Sequence, residues 1–274
     1  MSMEPSATEG LMVLVHPPWA PGEGGTDRPG GGWAKTAEGV DMLERLRQNL
    51  RKDHGSTEAM EKLVKGFLKF RGEVFGKKRD LFTRLSQKQE PRALFITCSD
   101  SRVDPTLMTQ TEPGELFILR NAGNMVPPYG SMQGGSTATI EFAMAILKVP
   151  HIIVCGHTDC GVMKALLQPE DVHDLPALKE WVGQAETTRR LMREHYIDLE
   201  GNDRLVKTTQ ENVRAQLDHL RTHPSVALQL RKGTVDLHGW VYSIPTGDIW
   251  VYDFESEQFT PLLDETSPRL KVAG

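Results

Sequence analysis

The chain has 274 residues, of which 38% are hydrophobic and 25% are charged, and its formal net charge at pH 7 is −5. This composition is typical of a soluble globular protein, and the acidic balance argues against nucleic acid as a partner. No apolar run approaches the roughly 18 residues that a membrane-spanning helix needs, so we expect no membrane association.

The start of the chain carries neither a signal nor a transit pattern, because no Lys or Arg precedes Arg28. We therefore predict a cytoplasmic protein. The only cysteines are Cys98, Cys155 and Cys160. Their odd, small number argues against a disulfide framework and favours metal binding or catalysis.

The pattern along the chain predicts three regions. Residues 1–36 are rich in glycine and proline and should form a flexible tail. Residues 37–79 should form an N-terminal helical arm, with one helix around 40–50 and a second one capped by Ser56, before a third helix that starts at Asp80. Such amphipathic helices can pack on a partner subunit or on their own subunit, and the sequence favours neither.

From residue 80 to 274 short apolar runs alternate with helical patterns, which predicts an α/β fold. We expect a mainly parallel central sheet of four to five strands with an antiparallel edge strand, flanked by helices. The predicted strands are 93–97, 116–119, 151–155, 234–242 and 249–254. The predicted helices are 135–147, 161–167, 176–196, 203–221 and 225–231.

Two short strings follow predicted strands: C-S-D-S-R at 98–102 and H-T-D-C-G at 157–161. Open α/β sheets place their ligand sites at such carboxyl ends. Two thiols and one imidazole, from Cys98, His157 and Cys160, suit a zinc ion with a fourth position. The remaining cysteine, Cys155, lies inside a predicted strand, and we assign it to the core.

Two other interpretations of these strings are possible from the residues alone. The thiols and the imidazole could be ordinary buried groups, although all three would then be coincidental. The zinc could be structural, with Asp100 as a permanent fourth ligand. A bidentate pair between Asp100 and Arg102 would instead turn the carboxylate away and leave a position for water, whose pKa a zinc ion lowers.

The paired motifs C-S-D-S-R and C-G-H-x-D-C-G resemble those of the β-class carbonic anhydrases, over about residues 80 to 254. The resemblance implies that Cys98, His157 and Cys160 bind Zn²⁺ and that Asp100 and Arg102 form a catalytic dyad. It implies a carbonate dehydratase, a lyase in which zinc-bound hydroxide converts CO2 to bicarbonate. It also implies a homodimer or tetramer with active sites at the subunit interface.

The resemblance also suggests substrate-contacting positions. Gln89 matches a pocket glutamine, and Phe117 and Phe142 match apolar positions over the CO2 site. Gly161, directly after the last zinc ligand, is a fourth candidate. Core packing is the competing interpretation for the two phenylalanines, and for Phe142 it is almost as strong.

The sequence departs from the bicarbonate-inhibited branch of that family. Phe95 and Thr97 stand where the branch has Trp and Gly, and only Tyr242 matches its regulatory pocket. We therefore expect Asp100 to rest on Arg102, which leaves the zinc site open.

Two other functions remain open at this point. Hydrolysis of COS or CS2 would use the same site, because both substrates are linear and apolar like CO2. A non-catalytic zinc scaffold or sensor is the second alternative, although a structural zinc does not need Arg102. We expect residues 1–36 to be dispensable for chemistry, since they contribute no candidate ligand except His16.

Overall fold

The computed structural model describes residues 57–131 and 134–262. The chain divides into two compact units, with the boundary between Ser86 and Gln87. The predicted tail 1–36, the predicted helix around 40–50 and the cap at Ser56 lie outside the described residues.

The described part of the first unit, residues 57–86, is helical. Its aromatic cluster is formed by Phe70, Phe75 and Phe82, whose ring centroids are 4.9 to 6.2 Å apart. Leu63 and Phe67 are more than half exposed, so this part of the chain carries apolar side chains on its surface. Its helices are α1 (Thr57–Lys69), a π-helical turn at Phe70–Val74, α2 (Phe75–Lys77) and α3 (Arg79–Leu85).

The second unit contains a six-stranded sheet in the order β2-β1-β3-β4-β5-β6. The first four strands along the chain run parallel to one another. The fifth strand pairs antiparallel with the fourth, and the sixth pairs antiparallel with the fifth. The predicted fold class is confirmed, with one strand more than predicted. The strands are β1 (Ala93–Cys98), β2 (Leu116–Asn121), β3 (His151–His157), β4 (Asp236–Tyr242), β5 (Ile249–Asp253) and β6 (Gln258–Pro261).

Helices alternate with the parallel strands along the chain, as predicted for an α/β unit. The single helix predicted over 176–196 is wrong, because the structure has two helices separated after Gly183. The helices are α4 (Pro105–Thr109), α5 (Gly135–Phe142) with a π-helical turn at Ala143–Leu147, α6 (Gly161–Leu167) with a 3₁₀ turn at Pro169–Val172, α7 (Pro176–Gly183), α8 (Glu186–Glu194), α9 (Gly201–Thr222) and α10 (Pro224–Lys232). Within the described ranges, no helix has the length and apolarity needed to cross a bilayer.

The core lies between the sheet and α9. Apolar side chains of β1 and β3, such as Ile96 and Val154, join Val213 and Leu217 of α9 in one buried cluster. All six residues of β1 are buried, as expected for a central strand of a parallel sheet. This packing fixes the carboxyl ends of β1 and β3, from which the two motif strings continue.

Glycine in β3 allows α9 to approach the sheet closely. A Cβ atom at Gly156 would lie 2.7 Å from Thr209 Cγ2 and 3.0 Å from Val213 Cγ2. Both neighbours belong to buried residues of α9 that cannot move freely. Position 156 is therefore restricted to glycine by packing, one residue before a candidate metal ligand.

We expect Gly156→Ala to lower the free energy of unfolding by about 1–3 kcal/mol, because the added methyl overpacks the interface with α9. Chemical denaturation of the purified protein measures this change. Gly183→Ala is the matched control, since a Cβ there meets no atom within 4 Å. An unchanged unfolding midpoint for Gly156→Ala would contradict this account of the helix–sheet contact.

Candidate metal centre

The sheet brings the three predicted metal ligands together. Strands β1 and β3 are parallel neighbours, so Cys98 at the end of one lies beside His157 at the end of the other. Cys160 directly precedes α6 and occupies its N-cap position. The ligand atoms of the three residues lie within 4.8 Å of one another, and all three residues are buried. This cluster can hold a metal ion.

The orientation of His157 fits a metal ligand. Its Nδ1 lies 2.8 Å from the carbonyl oxygen of Thr158, to which the protonated nitrogen donates. Its Nε2 is buried and has no hydrogen-bond partner. A buried acceptor without a partner costs free energy, and a cation beside two thiols would satisfy it.

The two thiols influence one another strongly. Contact with Cys160 holds the pKa of Cys98 well below its usual range, while burial opposes this shift. His157 and the backbone N–H of Gly123, which lies 3.4 Å from Cys98 Sγ, lower the pKa further. The pKa of Cys160 is raised, because the thiolate of Cys98 and burial both disfavour a second negative charge. The pair therefore supplies one thiolate readily. Cys155 differs, since burial raises its pKa to about 12.

Asp100 and Arg102 form the predicted bidentate pair. Arg102 Nε and Nη2 donate to the two carboxylate oxygens of Asp100 at 3.0 and 2.8 Å, and the backbone N–H of Arg102 adds a third bond of 2.9 Å. These bonds hold the pKa of the Asp100 carboxyl far below its usual range. Asp100 Oδ2 lies 3.8 Å from His157 Nε2, so the carboxylate borders the three ligands while it remains bonded to arginine.

A second arginine supports the backbone of this loop. Arg120, on β2, donates from Nε to the carbonyl oxygen of Cys98 at 3.0 Å and from Nη2 to that of Asp100 at 2.7 Å. Arg120 was not among the predicted site residues. Arg120 lies near the end of β2, where it pairs with Thr97 of β1. A basic residue near the carboxyl end of a predicted parallel strand was the sequence signal that could have identified it.

The loop after β2 contributes a donor through its backbone. Gly123 has a positive φ of 80°, and its N–H points at Cys98 Sγ. Its carbonyl accepts a bond of 3.2 Å from Asn212 Nδ2, and Gln216 accepts a bond of 2.7 Å from the N–H of Val126. Both amide side chains are fully buried on α9. Asn212 and Gln216 are four residues apart and lie among the apolar residues of α9. That spacing was the sequence signal that could have identified them as supports of the loop after β2.

Trp181 also holds this loop, because its indole N–H donates to the carbonyl oxygen of Ala122 at 2.7 Å. On the other side, Asn121 closes the turn through two bonds to the backbone of Met125, of 2.7 and 2.8 Å. The loop that reaches Cys98 is thus fixed by side chains from three elements.

The four predicted substrate-contacting residues lie in different parts of the structure and do not form one cluster with the metal ligands. Gln89 is exposed in the segment before β1. Phe117 and Phe142 stack on each other with centroids 5.9 Å apart, and Phe117 packs against the main core cluster, whereas Cys98 belongs to another cluster. Gly161 is the first residue of α6 and borders Cys160. Their roles in a substrate pocket stay predictions.

Phe95 and Thr97, which stand where the bicarbonate-inhibited branch has Trp and Gly, are both buried. Phe95 is fully buried and meets Trp240 edge to face at 5.9 Å. The hydroxyl of Thr97 donates to the carbonyl oxygen of Cys155 at 2.9 Å. The side chain of Thr97 therefore occupies space that glycine would leave empty.

Fold and site together define an α/β protein with a Cys–His–Cys cluster that can hold a metal ion at the carboxyl edge of a parallel sheet. The family model described as carbonic anhydrase matches residues 93–249, which is more than half of the chain. The chain belongs to the carbonic anhydrase family, and its structural neighbours place it in the β class. The predicted resemblance is confirmed, and so is the class of enzyme, carbonate dehydratase, at the level of the family.

The relatives are similar over most of their length. A carbonic anhydrase of Synechocystis sp. is 47% identical over 71% of this chain and 71% of its own. One from Pseudomonas aeruginosa is 45% identical over 78% of this chain and 96% of its own. The solved structure of the β-carbonic anhydrase CcaA has a TM-score of 0.73 and 46% identity, and the match covers 74% of this chain and 99% of that one.

Proposed function

We propose that this protein catalyses the reversible hydration of CO2 to bicarbonate and a proton, with zinc held by Cys98, His157 and Cys160. The observation that carries the proposal is the buried, unpartnered Nε2 of His157 close to two thiols. A carboxylate fixed by arginine borders the same atoms. Membership of the family supports the choice of reaction.

The donor set supports zinc as the metal. Two sulfur ligands and one imidazole nitrogen are typical of zinc sites, and three protein ligands leave a fourth position for chemistry. When bound, zinc supplies Lewis acidity that lowers the pKa of water toward neutrality. The depressed pKa of Cys98 means that the first thiolate ligand forms without strong base.

Asp100 and Arg102 provide the orienting groups. An ionised carboxylate only accepts hydrogen bonds, so an O–H group beside Asp100 turns its hydrogen toward Asp100 and its lone pair away. Arg102 keeps the carboxylate ionised and directed. Gln89, Phe117, Phe142 and Gly161 complete the proposal as substrate-contacting residues, on the ground of the family resemblance alone.

Stopped-flow measurement of CO2 hydration tests the proposal. We expect turnover in the purified protein, loss of turnover after chelation and recovery on addition of zinc, with elemental analysis giving one zinc per chain. COS and CS2 are assayed in parallel. Faster turnover of either sulfur compound would reassign the substrate, and absence of all three activities in the zinc-loaded protein would favour a scaffold or sensor.

We also propose a homodimer or tetramer with active sites at the subunit interface. The structures from Sordaria macrospora, described as two tetrameric β-carbonic anhydrases, support it at 29% identity and a TM-score of 0.65 over 71% of this chain and 96% of that one. Leu63 and Phe67 offer exposed apolar surface on α1 for such contacts. Cytoplasmic localisation stays a prediction.

A further inference from the structure

Asp159 lies between two candidate metal ligands in the chain and contacts the dyad. Arg102 Nη1 donates to its Oδ2 at 2.9 Å, and Arg102 Nη2 donates to its backbone carbonyl at 3.2 Å. Lys164, in the first turns of α6, forms an ion pair with the other carboxylate oxygen of Asp159. The loop after β3 is therefore joined to the loop after β1 through one guanidinium.

The guanidinium of Arg102 is held from two sides. Asp100 accepts hydrogen bonds from Nε and Nη2 of Arg102. Asp159 accepts one from Nη1 through its carboxylate and one from Nη2 through its backbone carbonyl. Four charges alternate in sign along the row Asp100, Arg102, Asp159 and Lys164. Because Arg102 has a rigid planar fork, a fixed contact on one edge determines the direction in which the other edge points.

The backbone adds a second constraint. Asp159 has a φ of 58°, in the left-handed region, where Asp, Asn and Gly are the residues that occur most readily. This conformation aims both its carbonyl and its carboxylate at Arg102. The segment between His157 and Cys160 thus binds the dyad as well as presenting ligands.

We propose that Asp159 is a positioning residue that acts through Arg102 and keeps Asp100 bonded to arginine and away from the metal. The proposal rests on the proposed function, since it deepens the account of the same site. Lys164 assists by fixing the carboxylate of Asp159. Without this second anchor, Arg102 is held by Asp100 alone, and the pair can shift so that Asp100 gains access to the Nε2 side of His157, 3.8 Å away.

The test uses variants that avoid backbone strain. Asp159→Gly removes the side chain, and glycine adopts a φ of 58° without strain. Asp159→Asn keeps the shape and one acceptor oxygen but removes the charge. Lys148→Gly is the control, because Lys148 is another exposed residue with a positive φ, of 54°, at the end of a helix.

The main readout is spectroscopic. The holoprotein is prepared with cobalt in place of zinc, and azide is titrated while the visible bands are recorded. We expect Asp159→Gly to weaken azide binding about five- to tenfold, the size expected for one charge-assisted hydrogen bond between half-exposed groups. Asp159→Asn should give a smaller loss, and Lys148→Gly none. Cobalt content should be unchanged in all variants.

The outcomes separate this proposal from the proposed function. Equal azide affinity in wild type and Asp159→Gly, with full metal content, would overturn the positioning role. If Asp159→Gly does not retain metal, the azide affinity of Asp159→Asn tests the positioning role in its place. Loss of metal in both variants would overturn the proposal and show that Asp159 has a structural role. Azide binding is measured without CO2, so a wild type that lacks hydration activity would refute the proposed function and leave this test intact.

Discussion

Replacement of Cys160 by serine is expected to remove the metal and all measurable CO2 hydration. The sulfur of Cys160 lies with Cys98 and His157 in one buried cluster, and serine would leave only two strong ligands. A neutral hydroxyl is a poor ligand for zinc compared with a thiolate, so we expect metal affinity to fall at least about 100-fold. Elemental analysis after dialysis and stopped-flow hydration measure the two losses.

The matched control for this prediction is the third thiol. Cys155 is fully buried inside β3, and its raised pKa makes it a poor metal ligand. Cys155→Ala should therefore keep one zinc per chain and most of the activity, apart from a modest loss of stability. A Cys160→Ser protein that still holds one zinc per chain would show that the ligand assignment is incorrect.

Several residues of this site could be predicted from the sequence for a physical reason. Buried parallel strands are continuous apolar runs, so β1 and β3 were visible, and residues directly after such strands must meet at one sheet edge. The positions of Cys98 and His157 followed from that rule. The pairing of Asp100 with Arg102 followed from their separation by a single residue.

Other features depend on contacts between segments distant in the chain. The N–H of Gly123 reaches Cys98 only because β2 is the neighbour of β1, and a backbone donor leaves no mark in the sequence. The contact of Asp159 with Arg102 spans 57 positions. Strand β6 was missed because it is short, and Phe259 is its only large apolar residue, so no apolar run marks it.

Replacement of Arg102 by alanine is expected to keep the metal but lower CO2 hydration by at least about 100-fold, the scale on which a positioned proton-handling group contributes to catalysis. The three ligands do not include Arg102, so metal content should be unchanged. Asp100 would lose two side-chain bonds, and its carboxylate would be free to turn toward the ligand cluster. Elemental analysis and stopped-flow hydration of the same preparation check both parts.

An exposed arginine provides the control for this prediction. Arg92 contacts Glu115 at 3.3 Å, its side chain is 80% exposed, and it precedes β1 in the chain. Arg92→Ala removes a guanidinium and an ion pair from the same unit without touching Asp100. We expect its hydration rate to stay within about twofold of wild type, because exposed ion pairs contribute little.

The direction of the Asp100 carboxylate gives Arg102→Ala a second, structural consequence. In the intact protein Asp100 rests on Arg102, and Thr97, where the bicarbonate-inhibited branch has glycine, bonds through its hydroxyl to the carbonyl oxygen of Cys155. We therefore expect a crystal structure of zinc-loaded wild type at neutral pH to keep Asp100 on Arg102. In the zinc-loaded variant we expect an Asp100 oxygen within about 2.2 Å of the metal, the bonding distance for a carboxylate. Full hydration activity in Arg102→Ala, or Asp100 on the metal in wild type, would refute the dyad as described.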